Sequence, residues 1–391
     1  MTSYLKSTRK EDCYGCSACY NVCPVQCIRM ISDSEGYSYP AIDNNRCTKC
    51  RLCEEVCPLE PSGYKFKGVD NPVAYAAWNK NDSVRRTSTS GGLFVALSGY
   101  ILNNSGAVFG AMFDSNFAVV HGCAETKQQR DKFKGSKYVQ SNIGDTYKQV
   151  KDLLEAGKKA MFTGTPCQVG GLYAFLRKDY DNLFTVDLVC HGVPSPGLFR
   201  DHINNLKNKF KADIESINFR DKQKGWGTYY LKIKFANGKI YGRNALMDFY
   251  YRMFLKYYFV RPSCYRCEYT KMNREADITI ADFWGIEKIR PELKKSGGVS
   301  MVLVNSEKGL RLFEWAGNDL IYERVEIEEA MQPNMHVARD RNPQRDDFFR
   351  RYSAKGINSL QLRYLTLPAI FEFPRRVLKF IGKRFKKIGG L

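Results

Sequence analysis

The sequence predicts an α+β, in part α/β, protein of two unequal parts: a small cysteine-rich N-terminal domain followed by a larger mixed α/β domain. Three observations predict it. Two four-cysteine runs, Cys13-x2-Cys16-x2-Cys19-x3-Cys23-Pro24 and Cys47-x2-Cys50-x2-Cys53-x3-Cys57-Pro58, lie within the first 60 residues. From Val73 onward, short apolar runs alternate with segments of helical spacing, the pattern of strands and helices sharing one sheet. With 391 residues, 43% hydrophobic and 26% charged, the chain is long enough for two or three domains and too apolar for a disordered one.

The cysteine runs have a physical reason. Three thiolates at i, i+3 and i+6 on a tight loop grip three corners of one cubane, and the fourth, on the next helical turn, points away to a second. Cys13, Cys16, Cys19 and Cys57 are therefore expected to hold one [4Fe–4S] cluster, and Cys47, Cys50, Cys53 and Cys23 the other. Zinc knuckles also use C-x2-C pairs, but two complete repeats with paired prolines fit iron–sulfur better. Cys27 falls outside the repeat and reads as a small buried apolar side chain. Residues 8–60 resemble a bacterial dicluster ferredoxin domain. Such clusters pass single electrons, and their oxygen lability suits a reducing cytoplasm and an anaerobe.

No apolar run reaches the ~20 residues of a membrane-spanning helix, and Met1 to Glu11 is polar, unlike a signal peptide. A cytoplasmic protein is expected. The four-part division is residues 1–60, a Pro- and Gly-containing linker 61–72, a domain over 73–330, and a basic extension 331–391.

Within the second domain, Val73–Trp78, Ala107–Phe113, Val119–Ala124, Lys159–Thr163 and Phe184–Val189 read as strands. Gly92–Asn104 and Asp145–Ala156 read as helices, the second with an aspartate cap, and Leu172–Arg177 as a short one. Ser195–Phe210 is a helix capped by Ser195 with Pro196 in its first turn. Ile214–Phe219 and Tyr229–Phe235, followed by Asn237-Gly238, read as a hairpin. Met247–Tyr258 is an aromatic-rich helix, and Ile278–Ala281 and Met301–Asn305 are late strands. Neither G-x-G-x-x-G after a strand nor G-x4-G-K-[ST] occurs, so a nicotinamide Rossmann site and a P-loop are unsupported.

Several loops carry chemistry. Arg85-Arg86-Thr87-Ser88-Thr89-Ser90-Gly91-Gly92 precedes a helix and is either an anion site suited to a pyrophosphate or an ordinary polar loop. Lys134 to Ser141 offers cations, a hydroxyl and Tyr138. Thr163-Gly164-Thr165-Pro166-Cys167-Gln168 comes straight off a strand, where α/β folds place ligands. Cys167 and Cys190 each follow a strand, and Cys264 and Cys267 have the bite of a metal chelate. Four thiolates fit one [4Fe–4S] cluster or one structural zinc; the bland alternative is that Cys167 and Cys190 are merely buried. Cys123 reads as core, and His121, His202 and His336 show no constellation.

Ser88-Thr-Ser-Gly-Gly92, Gly164-Thr-Pro-Cys-Gln168, Cys190-His-Gly192, the Cys264 and Cys267 pair and Ala281-Asp-Phe-Trp-Gly285 occur in an order that resembles the beta-subunit family of coenzyme F-420 hydrogenases and dehydrogenases. The resemblance spans about residues 73–330. It implies a flavin-binding α/β domain carrying FAD, and a flavin-dependent iron–sulfur oxidoreductase. It further implies that Ser88, Thr89, Ser90, Gly91 and Gly92 hold FAD phosphates with Lys137 and Tyr138 assisting. Thr163, Gly164, Thr165 and Pro166 would approach the isoalloxazine ring, and Asp282 would be a polar contact. A third [4Fe–4S] cluster falls on Cys167, Cys190, Cys264 and Cys267. The family also contains a chlorophyll-pathway reductase, so membership does not fix the substrate.

Hydride carriers deliver electrons in pairs, clusters take them singly, and a flavin bridges the two. The expected function is a relay, in either direction, between a two-electron small-molecule substrate, FAD and the clusters. A redox partner protein or ferredoxin would serve the head. Resemblance to members associated with surface-polysaccharide loci implies a place in polysaccharide biosynthesis. His191 is the candidate catalytic proton donor, with a hydrogen bond supporting the cluster as its other reading. The alternatives are an electron-transfer subunit without its own substrate and an assembly component that keeps its clusters for structure.

The chain carries 61 basic against 41 acidic residues, +20 at pH 7, but residues 1–60 hold only 7 basic and 8 acidic side chains. In Arg375 to Ile388, Val377, Leu378, Ile381, Phe385 and Ile388 share a helical face against Arg376, Lys379, Lys383, Arg384, Lys386 and Lys387. Such a helix suits peripheral contact with an anionic membrane surface, each cation adding about 1 kcal/mol; the alternative is a solvated tail. No nucleic-acid module accompanies the charge.

Overall fold

The most apolar runs of the chain become the centre of one eight-stranded mixed sheet. The computed structural model describes residues 3–60, 64, 66, 68–69, 71–293 and 297–366, with the side chains of residues 365 and 366 left out. Its strands are β1 (Ile28–Ser32), β2 (Ser38–Ile42), β3 (Val73–Asn79), β4 (Ala107–Phe113), β5 (Val119–Ala124), β6 (Ala160–Gly164) and β7 (Leu183–Leu188). There follow β8 (Ile214–Asn218), β9 (Tyr230–Phe235), β10 (Ile240–Asn244), β11 (Ile278–Asp282), β12 (Ser300–Val304) and β13 (Leu320–Val325). The large sheet runs β13-β3-β12-β11-β7-β6-β4-β5. Its middle, β4-β6-β7-β11, is parallel, and antiparallel strands flank it on both sides. All of β12 and most of β7 are buried, as expected of strands covered on both faces.

Helices cover the two faces. Tyr147 and Val150 of Thr146–Glu155 pack with Leu172 and Tyr173 of Pro166–Leu176 on one side. Leu93 and Leu97 of Leu93–Asn103 pack with Leu312 and Phe313 of Glu307–Ala316 on the other. The helix expected at Leu172–Arg177 starts a full turn and more earlier, at Pro166, behind a Thr165–Gln168 capping box. Its Gly170-Gly171 pair, which reads as a breaker, is tolerated because both positions are sites of close packing. Asp145 stands at the start of its helix without capping it; its carboxylate takes Lys148 at 3.0 Å instead. Ser195 does cap, accepting from the Leu198 amide at 3.2 Å.

The Asn237-Gly238 turn joins β9 to a third strand, β10, so the expected hairpin is a three-stranded sheet in the order β10-β9-β8. It encloses an aromatic core with the helices Pro196–Phe210 and Phe249–Leu255. Phe348, fully buried between Phe259 and Tyr258, belongs to that core. Residues 345–361, expected as part of a basic extension, are thus in part body: Phe348, Phe349, Ile357 and Leu360 supply an apolar stripe. The tail helix expected over Arg375 to Ile388 lies outside the described residues. None of the described helices is long and apolar enough to cross a membrane.

The cysteine-rich head, with the β1–β2 ribbon, sits against the body. Gly36 and Gly197 meet so closely that a Cβ on Gly36 would fall 2.6 Å from Gly197 Cα. Gln140 Nε2 donates to Tyr14 O at 2.9 Å, and Asn21 Nδ2 to Gly144 O at 2.9 Å. Arg345 pairs with Glu35, Nη1 to Oε1 at 2.8 Å. In the linker, the Phe66 ring lies 5.1 Å from that of Tyr173.

Candidate functional site

A cavity of about 650 Å³ opens where the parallel strands end, and it gathers most residues that the sequence singles out. Ser88, Thr89, Ser90, Gly92, Lys137, Tyr138, Thr163, Gly164, Thr165, His191 and Asp282 all line it. Gly91 stands behind the wall: its amide donates to Ser300 Oγ at 2.9 Å, and a Cβ there would meet Ala77 O at 2.5 Å. Pro166 faces a neighbouring cavity.

The hydroxyls of the first loop are mostly committed to the protein. Ser88 Oγ donates to Val84 O and Ser90 Oγ to Val299 O, each at 2.8 Å. Thr89 Oγ1 accepts from the Ser136 amide at 2.8 Å, joining the two expected anion loops. Gly92, at φ +89°, starts the helix Leu93–Asn103, whose first residues reach the cavity.

Two lysines are built into the rim. Lys137 Nζ donates to the carbonyls of Phe133, Lys134 and Gly135 at 3.2, 3.2 and 3.1 Å. Lys222 Nζ donates to those of Arg85, Ser90 and Gly297 at 2.7, 2.7 and 2.6 Å. An ammonium has three donors, so both are fully used in tying loops. Burial pulls each down to about 7, while the three carbonyls favour the charged form. To assist a ligand phosphate as expected, Lys137 would have to share or release one of these carbonyls.

Asp282 lies in a network that sequence reasoning missed. Arg220 Nη1 donates to its Oδ2 at 2.8 Å and to Tyr138 Oη at 3.2 Å, and Trp226 Nε1 donates to its Oδ1 at 2.8 Å. The Arg220 guanidinium covers the Tyr229 ring at 4.3 Å, and Trp226 stacks on Trp284 at 4.9 Å. Arg220, Tyr229 and Trp284 also line the cavity. Only the aromatic richness of the segment hints at this box.

His121, given no role by its sequence context, is another lining residue. Its Nε2 donates to Thr163 O at 3.0 Å, which leaves buried Nδ1 as a bare acceptor. Burial holds the imidazole at about 4, below its ordinary 6.5. Between those values the unfolded chain binds a proton that the folded one refuses, so stability falls as pH drops from 6.5 toward 4. The loss attributable to His121 is about 3 kcal/mol at full extent. Anaerobic denaturation midpoints at pH 7 and 4.5 should differ less in His121→Gln than in the parent; an equal difference would contradict this.

Beside the large cavity lies a smaller one, lined by Cys167, Cys190, Cys264 and Cys267 together. The two share Cys190, His191, Gly192, Val193, Asn334 and Arg339 as a common wall. Burial first and the Cys267 thiolate second push Cys167 up to about 12; burial and Cys167 do the same to Cys190. Four such thiolates need a compensating positive centre, which an iron cluster would supply while releasing their protons. His191 is half-buried, and desolvation with the Arg339 charge pulls it down to about 4. Its ring stacks on Phe254 at 4.9 Å, with Nδ1 3.4 Å from Tyr257 Oη. It forms part of the wall between the two cavities.

In the head, Cys13, Cys16, Cys19, Cys53 and Cys57 line a third cavity, and Cys23, Cys27, Cys47, Cys50 and Cys53 a fourth. These are the two expected foursomes, with Cys53 shared between the walls and Cys27 added. Cys27 is buried with its Sγ 3.4 Å from Cys23 Sγ. Tyr14 lines both the third cavity and the Cys167 cavity. Among the described residues no three Cys, His, Asp or Glu side chains converge tightly enough for one metal ion. Cys123 is exposed rather than core; it lies near the end of β5, the strand at the edge of the large sheet.

Residues 157–330 match the family model for the C terminus of the beta subunit of coenzyme F420 hydrogenase/dehydrogenase, and residues 12–60 match the 4Fe-4S dicluster domain. An uncharacterized polyferredoxin-like protein of Methanocaldococcus jannaschii is 34% identical over 62 residues, 14% of this chain and 37% of that protein. An uncharacterized ferredoxin of the same organism is 39% identical over 49 residues, 12% of this chain and 62% of that protein. The chain therefore spans less than two thirds of either relative. A chain of the F420-reducing [NiFe] hydrogenase complex from Methanosarcina barkeri superposes with a TM-score of 0.46 at 18% identity, over 76% of this chain and 91% of that one.

Proposed function

We propose that this chain is a flavin-dependent oxidoreductase. It joins a 4Fe-4S dicluster domain to the C-terminal domain of the coenzyme F420 hydrogenase/dehydrogenase beta-subunit family. In this reading FAD occupies the large cavity, and Cys167, Cys190, Cys264 and Cys267 hold a third [4Fe–4S] cluster. The observation that carries it is the succession of shared walls. The large cavity meets the Cys167 cavity at Cys190 and His191, that cavity meets the Cys13 cavity at Tyr14, and the Cys13 cavity meets the Cys47 cavity at Cys53.

FAD, when bound, supplies the exchange between an electron pair and single electrons. The protein's own residues do the rest. The helix start at Gly92 and Leu93 offers backbone amides to a pyrophosphate, and the Trp284 and Tyr229 rings with the Arg220 guanidinium give a flat aromatic wall. Lys137 and Lys222 hold the loops around it. Cys190 and His191 close the wall through which electrons cross to the cysteines.

The substrate would be a two-electron small molecule, and a redox partner protein would meet the head, where Cys50 is exposed. The envelope-glycan context rests on resemblance alone, and peripheral membrane contact rests on the tail.

Anaerobic purification with iron, sulfide and flavin analysis tests the reading. About twelve iron atoms, four per cluster, with one FAD are expected. Eight iron atoms without flavin, even after reconstitution with FAD, would leave an electron carrier without its own substrate.

A further inference from the structure

Besides Arg345, a second buried cation crosses from the body to the head. Arg261 is 1% exposed and stands just before the turn Pro262–Arg266. Its Nε donates to Cys13 O at 2.6 Å and its Nη1 to Gln140 Oε1 at 2.9 Å. Its Nη2 donates to Ser38 O at 3.0 Å and to Cys13 Sγ at 3.2 Å. The guanidinium also lies over the Tyr39 ring at 4.3 Å. The acceptors are carbonyl oxygens and one sulfur: none is a carboxylate, and of them only the Cys13 sulfur can carry a negative charge. A guanidinium fork held on four sides cannot swing away from that sulfur.

We propose that Arg261 is a positioning residue that sets the reduction potential of the Cys13 cluster from across the domain boundary. Adding an electron makes the cluster more negative. A fixed cation and an N–H···S hydrogen bond stabilise that state more than the oxidised one, and so raise the potential. Docking and tuning are then one event, because the tuning group belongs to the body and its target to the head. The inference rests on Cys13 as a ligand of the dicluster domain and needs neither flavin nor the third cluster.

The test is a mediated dithionite titration of the full chain, followed anaerobically by electron paramagnetic resonance. One electron enters the cluster per step, with no proton or ligand exchanged. Arg261→Gln should lower one of the two head potentials by about 59 mV or more, tenfold in the equilibrium of a one-electron couple, and leave the other unmoved. Arg261→Lys should recover part of that shift. Ser263→Ala, which removes an uncharged bond to Cys13 O of 2.9 Å, should leave both potentials unchanged. Unchanged potentials in an iron-loaded Arg261→Gln chain overturn the proposal, as does a lysine variant that falls as far as the glutamine one. Should Arg261→Gln fail to hold iron, the parent chain labelled with 15N-arginine decides. Pulsed resonance on its reduced cluster should show coupling to an arginine nitrogen, and absence of that coupling overturns the proposal. Cys13→Ser retaining all head iron would overturn it through the ligand assignment, whatever the flavin analysis gives.

Discussion

Cys264→Ser is expected to take the anaerobically reconstituted chain from about twelve iron atoms to about eight, four per cluster lost, while FAD stays bound. The thiol lines the Cys167 cavity and not the large one, so flavin binding has no reason to suffer. Burial and the Cys190 thiolate push the Cys264 thiol well above its ordinary range, so its place in the foursome depends on a positive centre. Photoreduced flavin in this variant should then fail to pass electrons to the head at more than about one hundredth of the parent rate, by analogy with loss of a metal-site residue. Iron analysis and stopped-flow absorbance would read both effects. A variant that keeps twelve iron atoms would remove Cys264 from the ligand set, and one that keeps fast transfer would bypass the third cluster.

Gly171→Ala is the second large effect, and it acts through packing. A Cβ at Gly171 would stand 2.8 Å from Cys16 Cβ, 3.0 Å from Cys16 Sγ and 3.0 Å from Tyr147 Oη. Tyr147 is held by its bond to Gln168 O at 2.7 Å, so Cys16 must move. Overpacking of this kind costs about 1–3 kcal/mol, and here it falls on an expected cluster ligand. The variant should lose about four of the eight head iron atoms, one cluster's worth, and unfold earlier in denaturant. Gly99→Ala is the control, since nothing lies within 4 Å of a Cβ there and alanine favours the helix by about 1 kcal/mol. If Gly171→Ala behaves like Gly99→Ala, the head does not rest on this helix in solution.

These two residues also show what is legible in the chain before folding. The cysteine spacing names its own partners, because a cubane imposes a fixed register on a short loop. A strand such as β12 announces itself as a nearly unbroken apolar run. Gly171 does neither: a glycine pair after a proline looks like a turn, and only the approach of Cys16 explains why the helix needs it. Arg220 and Asp282 stand 62 residues apart and pair at 2.8 Å, a contact no local pattern encodes. His121 escapes notice for the same reason, its partner Thr163 being on another strand. Beyond Asn305 the helix Glu307–Ala316 does carry a local signature, the Ser306 cap and a stripe of Leu312, Phe313 and Ala316, whereas β13 and the kinked helix Arg345–Gln361 carry little. Their apolar faces become meaningful only against β3 and the aromatic core.

The two loop-tying lysines have a thermodynamic consequence. Since Lys137 and Lys222 bind three carbonyls each, the loops around the large cavity are cross-tied by the protein itself, and on the proposed reading little backbone freedom would remain to be surrendered when a dinucleotide associates. Filling and emptying should therefore leave amide exchange in these loops almost unaltered.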